Sequence, residues 1–125
     1  MASLVLINDG VAISRFPLGK SRMSIGRASD NDIPIDSPLV SKHHAEVEIV
    51  RSEEPGGANE YHLVDLDSTN RTFVNDAPVA RQRLRHEDVV RIGLNTFKFI
   101  DEREQDMDAT TKIHKSWIPG LYFTK

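Results

Sequence analysis

Four short segments of the sequence carry hydrogen-bond donors and positive charge where turns are predicted. They are Gly26-Arg27, Ser41-Lys42-His43-His44, Ser68-Thr69-Asn70-Arg71-Thr72 and Asn75-Asp76. Arginine offers a planar fork of N–H donors and lysine a point charge, and the serine, threonine and asparagine side chains add neutral donors. None of these side chains is a good general base. The segments therefore suit the binding of an oxyanion such as phosphate better than they suit catalysis.

The five histidines of the chain raise a second possibility, a metal site. His43 and His44 are adjacent, so their side chains would point to opposite faces of a strand, and His62 lies in a different predicted strand. No carboxylate–histidine spacing resembles a zinc site. Ser41 also lacks the Gly-x-Ser-x-Gly signature of one class of hydrolase nucleophile. We therefore expect no metal, no cofactor and no catalytic residue, and we predict that the chain is not an enzyme.

The elements that must position these segments are short strands. From residue 45 to residue 49 apolar residues alternate with glutamates, which is the pattern of a half-buried strand. Runs rich in Val, Ile, Phe and Thr recur at 4–7, 11–16, 23–26, 33–35, 45–51, 60–66, 72–75, 89–92 and 96–100. Asn8-Asp9-Gly10 is a strong hairpin signal, because Asp-Gly pairs tolerate positive φ. The pattern predicts an all-β fold, an antiparallel β-sandwich.

The composition fits a single globular domain of 125 residues, with 28% charged and 38% hydrophobic residues. A net charge of −3 argues against nucleic-acid binding through phosphate contacts. No apolar run approaches the ~20 residues of a membrane span, and the first residues lack the basic leader of a signal peptide. We therefore predict no nucleic-acid and no membrane partner. The absence of cysteine makes a cytoplasmic location the default prediction.

The composition changes after residue 100. Residues 101–108 are mostly acidic and polar, which is typical of a linker, and 116–123 hold the single tryptophan beside Tyr122 and Phe123. Aromatic side chains at this density usually dock on another surface. We predict a domain at 1–103 and an acidic linker with an aromatic segment at 104–125. That segment is expected to cover the domain's own sheet or to pair with a partner, including a second copy in a homo-oligomer.

Six fragments, in order along the chain, resemble motifs of the forkhead-associated (FHA) domain family. They lie at 26–27, 30–33, 40–45, 63–70, 72–75 and 84–93. The resemblance covers roughly residues 4–100. It implies a β-sandwich of about eleven strands. It further implies that the loops at one end of the sandwich bind phosphothreonine in extended peptides.

The resemblance also implies roles for individual residues. Arg27, Ser41 and Lys42 match the positions that contact phosphate, and Thr69 matches a loop residue beside the phosphate and the threonine. Asn70 matches the asparagine that bonds the peptide main chain. These five residues are expected to form the phosphopeptide site.

Three further positions support or tune that site in the family. Gly26 and His44 match architectural positions: the glycine lets the backbone turn, and the histidine braces the binding loops. Leu39 lies in the loop that helps to select the third residue after the phosphothreonine. We therefore expect an aliphatic preference at that peptide position.

Three residues depart from the family pattern by standing where glycine is usual: Arg71, Asp76 and Glu87. Such glycines often have positive φ, which costs an arginine ~1–2 kcal/mol. Two interpretations of Arg71 stay open. Either Arg71 distorts or strains its loop, or its guanidinium adds a contact to the phosphate or to an acidic residue.

The sequence thus predicts a phosphothreonine-peptide recognition module that depends on a Ser/Thr kinase pathway. Thr110 and Thr111 are candidate phosphorylation sites, and Ile113 lies three residues after Thr110. Phosphorylated Thr110 is therefore a hypothetical ligand of the domain's own site, the alternative being an ordinary solvated linker. The alternative function is a phosphorylation-independent assembly or oligomerisation module, in which the polar groups of the loops only pair with one another.

Overall fold

A computed structural model of the protein describes residues 2–102. The predictions that concern 103–125, among them the linker, the aromatic segment, Thr110 and Thr111, lie outside the described residues. Residues 2–102 form eleven strands, the number that the family resemblance implies. The strands are β1 (Ala2–Asn8), β2 (Val11–Pro17), β3 (Arg22–Gly26), β4 (Ile33–Pro34), β5 (Ala45–Val50), β6 (Glu60–Asp65), β7 (Thr72–Val74), β8 (Ala77–Val79), β9 (Arg81–Arg83), β10 (Val89–Ile92) and β11 (Asn95–Asp101).

The strands lie in two sheets. One sheet has six strands in the order β2-β1-β11-β10-β7-β8, and the other has five in the order β4-β3-β5-β6-β9. Neighbouring strands are antiparallel except β3 and β4, which pair in parallel through Ile25 and Ile33. The prediction of an all-β antiparallel sandwich is confirmed, with this one parallel pair added. Within residues 2–102, no helix is long and apolar enough to cross a membrane.

The hydrophobic core is built by side chains that alternate along the strands. In β5, Ala45, Val47 and Ile49 are buried, as the alternation with glutamate predicts. From the other sheet, the ring of Phe99 packs against Tyr61 with centroids 5.4 Å apart. Burial of each large apolar side chain stabilises the fold by about 1.5–3 kcal/mol. The core therefore holds the two sheets in a fixed relation.

Two connections follow the turn chemistry of the sequence. Asp9 and Gly10 join β1 to β2 with φ of 54° and 77°, the left-handed conformation that two-residue hairpin turns need. Residues 51–59 join β5 to β6, contain no strand and are mostly exposed. The hairpin turn predicted at Asn8-Asp9-Gly10 is confirmed.

Two strands, β8 and β9, are not predicted by the alternation pattern. β8 contains Pro78, and β9 consists of Arg81, Gln82 and Arg83, all exposed. Each strand lies at the edge of its sheet and pairs with one neighbour. An edge strand with little burial on either face carries no apolar alternation, so its sequence resembles a loop.

Three connections from the five-stranded sheet meet at one end of the sandwich. β3 ends at Gly26 and β6 ends at Asp65, while β5 begins at Ala45 and is antiparallel to both. The start of β5 therefore lies beside the ends of its two neighbours. The connections that meet there are 27–32, 35–44 and 66–71.

Candidate functional site

Backbone hydrogen bonds tie these connections to one another. The N–H of Arg27 donates to the carbonyl oxygen of Ser41 at 2.9 Å, which joins the connection after β3 to the one before β5. The N–H of Leu66 donates to the carbonyl oxygen of His44 at 2.9 Å, which joins the connection after β6 to the same place. The main chain thus sets the relative positions of the loops.

Side chains add further contacts between the same loops. The Oγ of Ser41 accepts a hydrogen bond from the N–H of Thr69 at 3.1 Å, and the Nδ2 of Asn70 donates to the carbonyl oxygen of Leu39 at 2.9 Å. Because the Ser41 oxygen acts as an acceptor here, its O–H can still donate to a ligand. The structure therefore brings four of the residues singled out in the sequence to one place.

His44 is fully buried and links two of the loops. Its Nδ1 lies 3.0 Å from the backbone nitrogen of Ser41, and its Nε2 lies 2.8 Å from the carbonyl oxygen of Arg71. A backbone N–H can only donate and a carbonyl can only accept, so both bonds require a neutral imidazole with its hydrogen on Nε2. The neighbouring His43 side chain is 59% exposed, so the two adjacent histidines have different surroundings, and both lie before β5 rather than in a strand.

Asp65 fixes the loop that carries Thr69 and Asn70. Its carboxylate accepts hydrogen bonds from the N–H and the hydroxyl of Ser68 and from the hydroxyl of Thr72. Ser68 and Thr72 are buried. Burial alone would raise the pKa of Asp65, but the hydrogen bonds from Ser68 and Thr72 outweigh it and hold the pKa below its usual value. A charged carboxylate thus anchors the loop.

Gly26, the last residue of β3, lies against the backbone of the loop before β5. A side chain at this position would collide with the carbonyl oxygen of Lys42. The Nδ2 of Asn31 donates to that same oxygen and to the carbonyl oxygen of Ala28, each at 2.8 Å. Gly26 is not among the described glycines with positive φ. The close approach of the Lys42 backbone, rather than a left-handed turn, therefore explains the glycine.

Three exposed basic side chains, those of Arg27, Lys42 and Arg71, lie on these loops. The Nε of Arg27 donates to the carbonyl oxygen of Val40 at 3.1 Å, and the Nη1 of Arg71 lies 3.3 Å from the carbonyl oxygen of Ser68. None of the three forms an ion pair with an acidic side chain in the described part of the chain. Their positive charge is therefore available to an external anion.

The three residues that replace the family's glycines all have positive φ. The angle is 69° at Arg71, 70° at Asp76 and 74° at Glu87. This conformation disfavours L side chains by roughly 1–2 kcal/mol. The loop at Arg71 thus keeps the left-handed geometry that glycine would adopt, so Arg71 strains the loop without distorting it.

Leu39 lies at the edge of the site and is 41% exposed. Gly93, in the turn between β10 and β11, comes close to it, since a Cβ at Gly93 would lie 3.5 Å from the Cβ of Leu39. The next residue of that turn, Leu94, is 81% exposed. Leu39 and Leu94, which we call the apolar rim, therefore lie on adjoining loops beside the donors.

Asn75 and Asp76 do not join the site, which corrects their grouping with the other donor segments. They follow β7 at the end away from Thr72. The side chain of Asn75 bonds the carboxylate of Asp88 at 3.0 Å and the N–H of Val89 at 2.9 Å. The polar groups of Asn75 therefore hold the start of β10, at the end of β7 opposite Thr72.

Three residues with positions in or behind the site had no role in the sequence-based prediction. Asp65 lies three residues before Ser68, the spacing of a local side-chain-to-backbone turn, so the sequence holds a signal for it. Asn31 bonds the distant Lys42 carbonyl, and such a partner leaves no local signal. Leu94 is an exposed leucine in a turn, which no pattern distinguishes from a neutral surface residue.

Comparisons with known proteins agree with this architecture. The family model of the FHA domain matches residues 23–93. The glycogen accumulation regulator GarA of Mycobacterium tuberculosis is 36% identical over 107 residues, which cover 86% of this chain and 62% of GarA. An ABC transporter ATP-binding/permease protein of the same organism is 40% identical over 123 residues, covering 95% of this chain and 13% of the transporter. The chain therefore spans less than two thirds of these relatives.

Solved structures show the same fold. A chain solved in a structural and functional study of phosphothreonine-dependent FHA domain interactions has a TM-score of 0.67 and 30% identity, and the match covers 80% of this chain and 95% of that one. Mycobacterium tuberculosis EmbR in complex with a low affinity phosphopeptide has a TM-score of 0.66 and 33% identity, covering 79% of this chain and 24% of EmbR.

Proposed function

Because the chain belongs to the forkhead-associated (FHA) domain family, we propose that it is a phosphothreonine-peptide recognition module that mediates phosphorylation-dependent protein–protein interaction. The observation that carries this function is the convergence of Arg27, Ser41 and Lys42 on loops bonded to one another, with both cations unpaired within residues 2–102. One similar structure comes from a study of phosphothreonine-dependent FHA domain interactions, and another, EmbR, was solved in complex with a phosphopeptide. The proposed role is recognition without catalysis.

The phosphate is the main source of binding energy. It carries between about −1.5 and −2 charges near neutral pH. The guanidinium of Arg27 and the ammonium of Lys42 neutralise this charge, and the hydroxyl of Ser41 donates a further hydrogen bond. Each charge-assisted hydrogen bond contributes about 1.5–3 kcal/mol, and the ordering of an extended peptide offsets part of the sum. A Kd on the order of micromolar is expected.

The peptide around the phosphothreonine meets the loop after β6 and the apolar rim. Asn70 bonds the Leu39 carbonyl through Nδ2, and its amide oxygen accepts a hydrogen bond from the peptide main chain. Thr69 lies beside the phosphate-binding Ser41. Leu39 and Leu94 favour an aliphatic residue three positions after the phosphothreonine, because two exposed leucines on adjoining loops gain by covering apolar surface.

A calorimetric titration tests this function. The domain is titrated with a degenerate phosphothreonine peptide library, with the same library unphosphorylated, and with a version that carries aspartate in place of the phosphothreonine. We expect binding by the phosphorylated library alone, since aspartate supplies less charge and fewer acceptor atoms. Equal binding of all three libraries, or binding of none, would contradict the function and would favour a phosphorylation-independent assembly module.

The C-terminal tail of the chain supplies one specific candidate ligand. Phosphorylation of Thr110 would place Ile113 at the third following position, whereas phosphorylation of Thr111 would place His114 there. We expect a peptide of residues 105–117 to bind when it carries phosphate at Thr110 and to bind more weakly when the phosphate is at Thr111. If the library binds and neither tail peptide does, the module recognises other proteins that a cytoplasmic Ser/Thr kinase modifies.

A further inference from the structure

We propose that Arg71 gives the phosphothreonine site a second anion-binding position, so that the domain prefers peptides with another negative group beside the phosphothreonine. That group is a carboxylate or a second phosphate. The inference rests on the proposed function and adds to it a class of ligand and a residue that selects the class.

The first observation is that Arg71 is kept in a conformation that suits glycine. Its φ is 69°, and an L side chain is disfavoured there. Arg71 is exposed, so no packing in the core requires its length. Its side-chain hydrogen bond to the carbonyl oxygen of Ser68, at 3.3 Å, is longer than a usual N–H···O bond. Local strain of this kind is concentrated at sites that bind ligands.

The second observation is the position of Arg71 in the site. Its carbonyl oxygen accepts a hydrogen bond from Nε2 of the buried His44 at 2.8 Å. Two residues earlier, the N–H of Thr69 bonds the Oγ of Ser41 at 3.1 Å. The main chain of Arg71 is therefore fixed beside the phosphate donors, and its long side chain begins at the edge of the site.

The third observation concerns charge. Arg27 and Lys42 already match the charge of one phosphate, which is at most about −2. Arg71 adds a third positive charge, and no acidic side chain within the described ranges pairs with it. The surplus suits a second anion on the same peptide. A guanidinium binds carboxylate and phosphate alike through two parallel N–H donors.

Oriented peptide libraries test the inference. In each library the central residue is phosphothreonine, and one of the positions −2, −1, +1 or +2 is fixed as alanine, aspartate or phosphoserine, while the other flanking positions are neutral mixtures. Each library is titrated against the wild-type domain, Arg71→Gly, Arg71→Lys and Arg51→Gln. Arg51 is a matched control because it is exposed, forms no ion pair among residues 2–102 and follows β5 at the end away from the site.

We expect the wild-type domain to bind at least one library with a second negative group about threefold to tenfold more tightly than the corresponding alanine library. Arg71→Gly should bring this ratio close to one and leave the affinity for the alanine libraries within about twofold, because glycine keeps the loop conformation. Arg71→Lys should retain part of the ratio, and Arg51→Gln all of it.

A preference that survives in Arg71→Gly would overturn the inference, because the second anion would then be bound elsewhere. The absence of any preference in the wild-type domain would also overturn it and would leave Arg71 with a structural contact to Ser68 alone. Failure of the proposed function looks different, because no phosphothreonine library would then bind any of the four proteins. Thermal unfolding of each variant checks that the loop change leaves the fold intact.

Discussion

The outer face of the five-stranded sheet and the loop end of the sandwich both carry arginines, but the surroundings of these arginines differ. On the sheet face, Arg22 lies 3.3 Å from Glu46 and 3.3 Å from Glu48, and Arg81 lies 2.8 Å from Glu48. Arg22 and the two glutamates come from the adjacent strands β3 and β5, while Arg81 comes from the exposed edge strand β9. Each charge on this face is therefore balanced by a neighbour.

At the loop end, Arg27, Lys42 and Arg71 have no acidic neighbour of this kind in the portion of the chain described. Their hydrogen bonds, where present, go to backbone carbonyl oxygens, which orient a side chain without neutralising it. Exposed ion pairs contribute only ~0–1 kcal/mol to stability, so the balanced face is a stable and inert surface. The unbalanced loop end has charge that only a ligand can neutralise.

The largest expected difference between the two regions is in binding. Arg27→Ala should weaken binding of a phosphothreonine library by about tenfold to a hundredfold, because it removes a charge-assisted contact of about 1.5–3 kcal/mol. Arg81→Ala, with the same change of charge on the sheet face, should leave Kd within about twofold. Calorimetry at one ionic strength measures both. Similar losses in the two variants would show that the domain's overall charge, rather than the site, attracts the peptide.

The next largest difference is in stability. Asp65→Ala should lower the free energy of unfolding by about 2–3 kcal/mol, because Ser68 and Thr72 are buried and would lose their acceptor. Glu48→Ala should lower it by less than about 1 kcal/mol, although Glu48 contacts two arginines. Urea unfolding followed by circular dichroism gives both values. A larger loss for Glu48→Ala would contradict this view of the sheet face.

The pH dependence should separate binding from folding. Binding should weaken as pH falls below about 6, where the phosphate regains its second proton. The pKa of Asp65 is lower in the folded state than the unfolded value of about 3.9, so its contribution to stability is present above about pH 4 and is lost as pH falls through the lowered value. Calorimetry and circular dichroism across this range should show loss of binding while the fold persists. Simultaneous loss would indicate that binding fails because the loops unfold.

The smallest expected effect concerns Glu87, whose φ of 74° resembles that of Arg71. Glu87→Gly should stabilise the fold by about 0.5–1 kcal/mol, because glycine adopts this conformation without strain. It should not change Kd, because Glu87 lies outside the loops of the site. Its N–H bonds the carbonyl oxygen of Phe99 in the connection before β10. Thermal unfolding and calorimetry measure the two quantities. A change in Kd would mean that strain at this distance affects the site.

Most of the fold could be predicted from the sequence because strands with one buried face show an alternation of apolar and polar residues. β5 is the clearest example, with buried Val47 between two glutamates. β8 and β9 could not be predicted in this way, since edge strands with exposed side chains carry no alternation. Only the number of strands that the family resemblance implies predicts that they exist.

The residues of the candidate site could be named from the sequence, but their geometry could not. Ser41 and Thr69 are 28 residues apart, and the bond between them depends on how β5 and β6 pair. Asn75 has a residue type and a turn position that fit the site. Only the direction of β7 shows that Asn75 lies at the other end. The sequence therefore shows which residue types are present, while the pairing of the strands decides which of these residues come together.

One measurement tests the central claim most directly, namely that Arg27 and Lys42, two unpaired cations of the loop end, bind phosphate. The backbone amide signals of the ¹⁵N-labelled domain are followed by NMR during titration with a phosphothreonine library and, separately, with the unphosphorylated library. We expect the phosphorylated library to shift the amides of Arg27, Ser41, Lys42, Thr69 and Asn70, and to leave Arg22 and Arg81 of the sheet face unchanged. Shifts on the sheet face alone, or identical shifts with both libraries, would contradict the claim.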